Sequence, residues 1–330
     1  MRRPPSPRQR GVALLAAMLT VTLVATIAAA AVWQQWRNLE VEGAERTRVQ
    51  AGWLLLAGLD FSRLILREDA RQNNVDALSE PWAVPLAEAR LSTFLQAQNN
   101  QSQVGDDTID AQAAFLSGMV VDAQSRLNVR NLVNANQIDP FALQQFSRLF
   151  SRLGLPGSEL TLLTLAALPA LREDKVEGTA PLQPRTWKEL AWWGLSPATL
   201  QALEPYATIL PQKTPVNINT ASATVLYAAI DKLDSATAQQ ITQLRQSMPF
   251  KDTADLLKRL PKPALQEAVS HGSNTLSTST NYFDVWARLR FDDLVVQERS
   301  LVYRQGLALS VVLRERGGAM PSDPGGGDRS

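Results

Sequence analysis

Arg10-Gly11-Val12-Ala13-Leu14-Leu15 opens the stretch that decides the fold, and uncharged, mostly apolar sequence follows it to Val32. The residues up to this point carry Arg2, Arg3, Arg8 and Arg10 and no acid. A basic head, one small residue and an apolar run of about 21 residues admit three readings. A secretory signal peptide has a shorter apolar region closed by a small-x-small cleavage site. A plain anchor needs about 20 apolar residues, because a helix rising 1.5 Å per residue then crosses a hydrocarbon core of about 30 Å. The third is a leader cut ahead of the apolar helix, which leaves that helix on the mature protein.

The details favour the third reading, a prepilin leader. Gly11 sits where charge gives way to apolarity, within reach of a prepilin peptidase on the cytoplasmic membrane face. Without a side chain, its backbone can be approached closely. The run continues through Trp33 and Trp36, residues suited to the membrane–water boundary. Beyond them Val49, Trp53, Leu56, Leu59 and Leu66 recur at helical spacing, the pattern of a helix buried along one face. One long helix, half in lipid and half in a globular head, is the backbone of pilin-like proteins. From this segment alone a prepilin, an ordinary anchor and an uncleaved signal all stay open. The leader arginines mark the cytoplasmic side, so the sequence after Trp33 is expected in the periplasm of a Gram-negative cell.

Composition narrows the chemistry. At 330 residues the chain has room for two domains besides the anchor, and its net charge of +1 gives no global field for nucleic acid. There is no cysteine, hence no disulfide, thiolate metal site or cysteine nucleophile. The one histidine, His271, lies in a loop-like stretch with no Gly-x-Ser-x-Gly elbow to accompany it. No catalytic residue emerges, and no enzyme is expected.

Taken in order, Leu86 to Leu95 reads as a short helix and Asn99 to Asp110 as a polar loop. Phe115 to Val129 reads as strand. From about Asn131 to Gly272 short helices separated by punctuation are expected. Asp139-Pro140 offers an N-cap and a first-turn proline for a helix over Phe141 to Leu153, which Gly154 and Pro156-Gly157 end. Similar starts fall at Ser196-Pro197, Ser235 and Asp252, and the proline-rich Leu168 to Pro184 reads as an exposed connection. Strands are expected again over Tyr282 to Phe291, Leu294 to Tyr303 and Leu307 to Leu313. These late strands complete a sheet begun near residue 115, so the helical block is an insertion. Gly317 to Ser330 reads as a disordered tail. Asp106, Asp107, Asp110 and Asp122 are weak candidates for gathering a hard cation such as calcium, against the plainer reading of a solvated loop without EF-hand spacing.

Pro215-Val216-Asn217-Ile218-Asn219-Thr220-Ala221 resembles the opening of helix-hairpin-helix domains, and Phe250 to Leu257 the entry to a later helix of that family. Trp187 to Tyr206 has a similar layout and reads as a degenerate second copy. A DNA-binding hairpin lets backbone N–H groups approach phosphate between glycines. Here Ala229-Ile230-Asp231-Lys232-Leu233 has no glycine and sets an aspartate where phosphate would lie. A packed protein-interaction module is the stronger reading, and a membrane-anchored DNA-uptake protein the alternative.

Four short stretches in this order resemble the large K-type minor pseudopilins of type II secretion. They are the leader junction, Ser79-Glu80-Pro81-Trp82-Ala83, Val121-Asp122-Ala123-Gln124-Ser125-Arg126-Leu127-Asn128-Val129, and Val216 to Ala221. The resemblance implies an α+β, pilin-like fold: a long N-terminal helix on an antiparallel sheet, with a large all-α helix-hairpin-helix or SAM-like insertion. It implies a leader at 1–11, a transmembrane part at 12–33, a pilin-like domain at 34–130 and 273–316, an insertion at 131–272 and a tail at 317–330. It further implies cleavage after Gly11, leaving Val12 as the new N-terminus. Most pilins carry glutamate at the fifth mature position, thought to neutralise the free amino terminus of a neighbour; here that position is Ala16. A subunit with no predecessor does not need the glutamate, so Ala16 fits the tip of the fibre. The implied partners are minor pseudopilins of the I, J and H types, the prepilin peptidase and the inner membrane, with secreted substrates or the outer-membrane secretin as further contacts and no nucleic acid. No cofactor is required, although the resemblance raises calcium in the head.

Overall fold

One helix, α1, runs from Arg10 to Gln72 without a proline inside it. The computed structural model of the chain describes residues 10–90, 114–172, 181–270, 275–291, 294–318 and 320. Two compact units emerge, Met1–Leu54 and Leu55–Ser330, and α1 contributes to both. In the first unit the helix stands with its apolar side chains exposed. The hydroxyls of Thr20, Thr22 and Thr26 donate back to the carbonyls of Ala17, Leu19 and Leu23, so these polar groups are satisfied within the helix itself.

In the second unit the end of α1 packs on a five-stranded antiparallel sheet, with strands β1 (Leu86–Arg90), β2 (Ala114–Asp122), β3 (Tyr282–Phe291), β4 (Leu294–Gln305) and β5 (Ala308–Arg316) side by side in that order. Alternation along the strands turns Val120, Phe283, Val302 and Leu309 toward Leu59 and Leu66 of α1. Trp82 meets Phe283 edge-on at 5.3 Å. Gly118 is required where β2 passes β3, since a Cβ there would lie 2.8 Å from the Trp286 carbonyl oxygen.

The helical residues sit between two neighbouring strands: β2 and β3 are hydrogen-bonded, and the whole block leaves and returns between them. Its helices are α2 (Pro140–Leu153), α3 (Gly157–Leu171), α4 (Pro197–Leu203), α5 (Ala223–Ala229), α6 (Ser235–Ser247), α7 (Thr253–Arg259) and α8 (Pro263–Ser270). The expected punctuation operates. The Asp139 carboxylate accepts from the N–H groups of Phe141 and Ala142, and Gly154 ends α2 at φ +66°. Ser196, Ser222, Asp234 and Asp252 cap α4, α5, α6 and α7. The block has its own core, from Leu127 to Leu276, around Phe146, Phe150, Leu226 and Phe250.

Three expectations are corrected. Leu86 to Arg90 is a strand rather than the start of a helix; its helix-forming residues are overridden by pairing with β2. The strand expected over Phe115 to Val129 stops at Asp122, whose carboxylate accepts from the Gln124 N–H and starts a 3-10 turn. Leu127–Asn128 then pairs in parallel with Ala207–Thr208 in the block. Leu168 to Leu171 belongs to α3 instead of a connection: Ala167, Ala170 and Leu171 are buried, and that packing outweighs the break at Pro169. The tail from 321 onward, like the polar loop at Asn99 to Asp110, lies outside the described residues.

Candidate functional site

The first candidate surface is the start of α1. Gly11 and Val12 lie in its opening turns, and Val12 to Val32 forms a stretch of mean hydropathy 2.4 with none of it buried. Val12 is 71% and Ile27 60% exposed, values a soluble helix of this composition would not keep without a covering phase. Ala16 lies on the same exposed run. Trp33 and Trp36 pack at 6.0 Å where the apolar sequence ends, with the Arg37 guanidinium 6.0 Å over the Trp33 ring. This order, apolar and then aromatic and cationic, matches a helix leaving a bilayer.

The second candidate is a buried polar seam between block and sheet. Asn217 donates through Nδ2 to the Asp76 carbonyl at 3.0 Å and to Asp122 Oδ2 at 2.9 Å, while its Oδ1 accepts from the Asn219 N–H. Thr220 donates its hydroxyl to Asp122 at 2.6 Å. Asn219 pairs with both backbone groups of Phe250, each at 2.9 Å, as a strand neighbour would. Arg245 closes the motif by donating to the carbonyls of Ile218 and Ala221, and its burial lowers its pKa to about 10. The Val216 to Ala221 stretch is therefore a structural joint. Asp122 is its sheet-side half: burial raises the carboxyl pKa, against the donors from Thr220 and Asn217 that favour the ionised form.

Beside this joint, Arg304 of β4 donates to both Asp76 oxygens at 2.5 and 2.6 Å and to Asp69 at 3.1 Å. The Thr280 N–H donates to Asp76 at 2.7 Å. Glu80 accepts from Asn73, from the Ala77 N–H and from the Trp82 indole, which fixes the Ser79-Glu80-Pro81-Trp82 turn. Carboxylate oxygens of Asp69, Asp76 and Glu80 lie within 4.8 Å of one another. Arg304 already supplies a countercharge there. Of the aspartates considered for a cation, Asp122 is engaged by Gln124, Asn217 and Thr220, while Asp106, Asp107 and Asp110 lie outside the described residues, as does His271.

The charged side chains of the hairpin between α5 and α6 are paired with neighbouring helices. Asp231 accepts from Arg148 at 2.5 Å and from Gln144 at 3.0 Å, both on α2, and Lys232 pairs with Glu267 of α8 at 3.1 Å. Lys232, at φ +56°, holds the turn that glycine would otherwise hold. Sequence reasoning missed Asp69, Asp76 and Arg304. Their pairing joins residues 228 and 235 positions apart, and no local pattern announces it.

Comparison with known proteins agrees with this architecture. Two family models, both described as type II secretion system protein K, match residues 125–212 and 216–279, which are the block and its joint. This chain belongs to the type II secretion protein K family. Protein K of Pseudomonas aeruginosa is 26% identical, with 97% of each chain covered. Protein K of Klebsiella pneumoniae is 26% identical over 94% of this chain and 97% of its own. Protein K of Pectobacterium carotovorum is 27% identical over 96% and 99%. A chain in the crystal structure of the GspK-GspI-GspJ complex from enterotoxigenic Escherichia coli shares the fold, with a TM-score of 0.62 at 20% identity, covering 84% of this chain and 99% of that one. Membership makes the chain a minor pseudopilin of type II secretion, a structural component of protein export, and gives the apolar start of α1 its context as a membrane anchor.

Proposed function

We propose that the chain is the tip subunit of the type II secretion pseudopilus, initiating and capping a short periplasmic fibre. On this reading the prepilin peptidase cuts after Gly11, Val12 becomes the N-terminus, and Val12 to Val32 anchors the protein once in the inner membrane with its head in the periplasm. The observation that carries it is the fully exposed apolar run with Ala16 at the fifth mature position. A charge left unpaired at membrane depth costs about 2.5–3.5 kcal/mol. A subunit that joins below others needs a carboxylate for its neighbour's amino terminus, and a first subunit does not. The related protein solved as a GspK-GspI-GspJ complex supports smaller minor pseudopilins, of the I and J types and by extension the H type, as partners. Secreted substrates and the outer-membrane secretin are further contacts of a subunit at that position. The reading needs no catalytic residue and no cofactor.

The test is the N-terminal residue of the protein recovered from cells with and without the peptidase. A start at Val12 only when the peptidase is present is the expected result. An intact Met1, or a start near Ala31, overturns the processing step. Tip position is tested separately by capture of I- and J-type subunits on the full chain, expected in equal amounts in a single complex.

A further inference from the structure

Asp69, Asp76 and Arg304 form the least balanced cluster of charge in the head. Two carboxyl groups share one guanidinium, and the side chains of all three are less than a tenth exposed. Carboxylate oxygens of Asp69 and Asp76 lie within 4.8 Å of each other, close enough that two negative charges there repel strongly and one shared proton relieves them. The groups facing the pair come from every element around it: Glu80 from the turn after α1, Arg304 from β4, and Asp122 from the end of β2. The remaining neighbours, Thr280 and Asn217, are neutral.

Asp76 is also part of the seam. Its N–H donates to the Thr278 carbonyl at 2.9 Å, and its own carbonyl accepts from Asn217. Whatever moves Asp76 therefore moves the residue by which the helical block is tied down.

We propose that Asp69 and Asp76 hold one proton between them at neutral pH and act as a proton-dependent latch at the seam between the helical block and the sheet. Loss of that proton leaves two buried carboxylates on one arginine, with Glu80 and Asp122 close by, and the repulsion loosens Asp76 and its hold on Asn217. Burial pushes Asp76 up to about 7 and Asp69 up to about 6, from an ordinary value of 3.8, against the pull of Arg304; Glu80 adds to the rise at Asp69. Both folded values lie above the unfolded ones. The stabilisation is complete below about pH 3.8 and is lost as pH rises through about 6 and 7.

The test uses the full chain in detergent micelles. The melting temperature of the head is expected to fall by several degrees between pH 5 and pH 8, with hydrogen-exchange protection at Ile218 and Thr280 falling at least tenfold after correction for intrinsic rates. Asp69→Asn removes one titrating partner and is expected to lose most of both slopes. Infrared spectroscopy of wild type carrying carboxyl-labelled aspartate is expected to show a protonated acid at pH 6 that disappears by pH 9, which decides the matter even if the variant fails to fold. A flat wild-type profile, an unchanged slope in Asp69→Asn, or no protonated acid at pH 6 overturns the latch.

Discussion

Asp76 and Asp284 are buried to the same degree, yet their carboxyl groups shift in opposite directions. Burial works to raise both, but Asp284 meets two arginines, Arg299 (which also pairs with Glu315) and Arg126, and together they hold it below the ordinary carboxylate value. Asp76 divides one arginine with Asp69, and burial wins. The count of guanidinium groups per carboxylate decides the sign. Replacing Arg304 with Met is therefore expected to destabilise the head by about 3–5 kcal/mol at pH 8, the cost of stranding buried charge, as read from urea unfolding. The same substitution at pH 5 should cost less, because the aspartates there can be neutral. Asp122→Ala leaves the Gln124 N–H, the Asn217 amide and the Thr220 hydroxyl without their acceptor, and about 2–4 kcal/mol is the expected loss in the same assay. Asp122 stood out in the sequence only as a weak cation candidate within an expected strand, and the Asn217–Thr220 stretch as part of a motif. That one held the other was not, since 95 residues separate Asp122 from Asn217.

Elements with local causes were the most legible. The Asp139-Pro140 start and Gly154 stop of α2, and the three late strands, follow from side chains that act on their own backbone. Leu86 to Arg90 was misread because nothing in Leu-Ala-Glu-Ala-Arg favours a strand; only the register Leu86↔Gly118 and Arg90↔Phe115 makes one. Pro169 misled in the opposite sense, since burial of its neighbours keeps α3 helical past it. Strand β2 contains a position that tests the pairing directly. Gly118→Ala would force a Cβ against the Trp286 carbonyl, and a loss of about 1–3 kcal/mol is expected in thermal or urea melts. On α1, Ala16→Glu is expected to leave the melting of the head unchanged while lowering recovery of the protein from the membrane fraction, because it adds a charge with no partner at membrane depth.

At the scale of the whole molecule, the block and the sheet have separate cores joined by a polar seam, which explains why the leader, the joint motif and the strands could be read independently. A fragment of residues 125–279 retains Phe146, Phe150, Leu226 and Phe250 in its own core and is expected to melt cooperatively when expressed alone, as followed by circular dichroism. Its hairpin, already closed by Arg148 and Gln144, gives a phosphate backbone no approach, and duplex binding at low salt should be absent.

The insertion between β2 and β3 also sets an order of events during synthesis. Asp122 must find Phe283, and about 160 residues are made between them. At about 5–20 residues per second, β2 waits roughly 8–32 s for its neighbour. Closing so long a loop in an unfolded chain carries an entropic penalty that grows with the logarithm of its length. A block that folds first shortens the effective loop, since Val216–Asn217 and Leu276–Ser277 pair side by side and deliver Tyr282 back toward Asp122. Until then β2 presents an unpaired edge, and the nascent chain is most open to misassembly in the interval that the block takes to collapse.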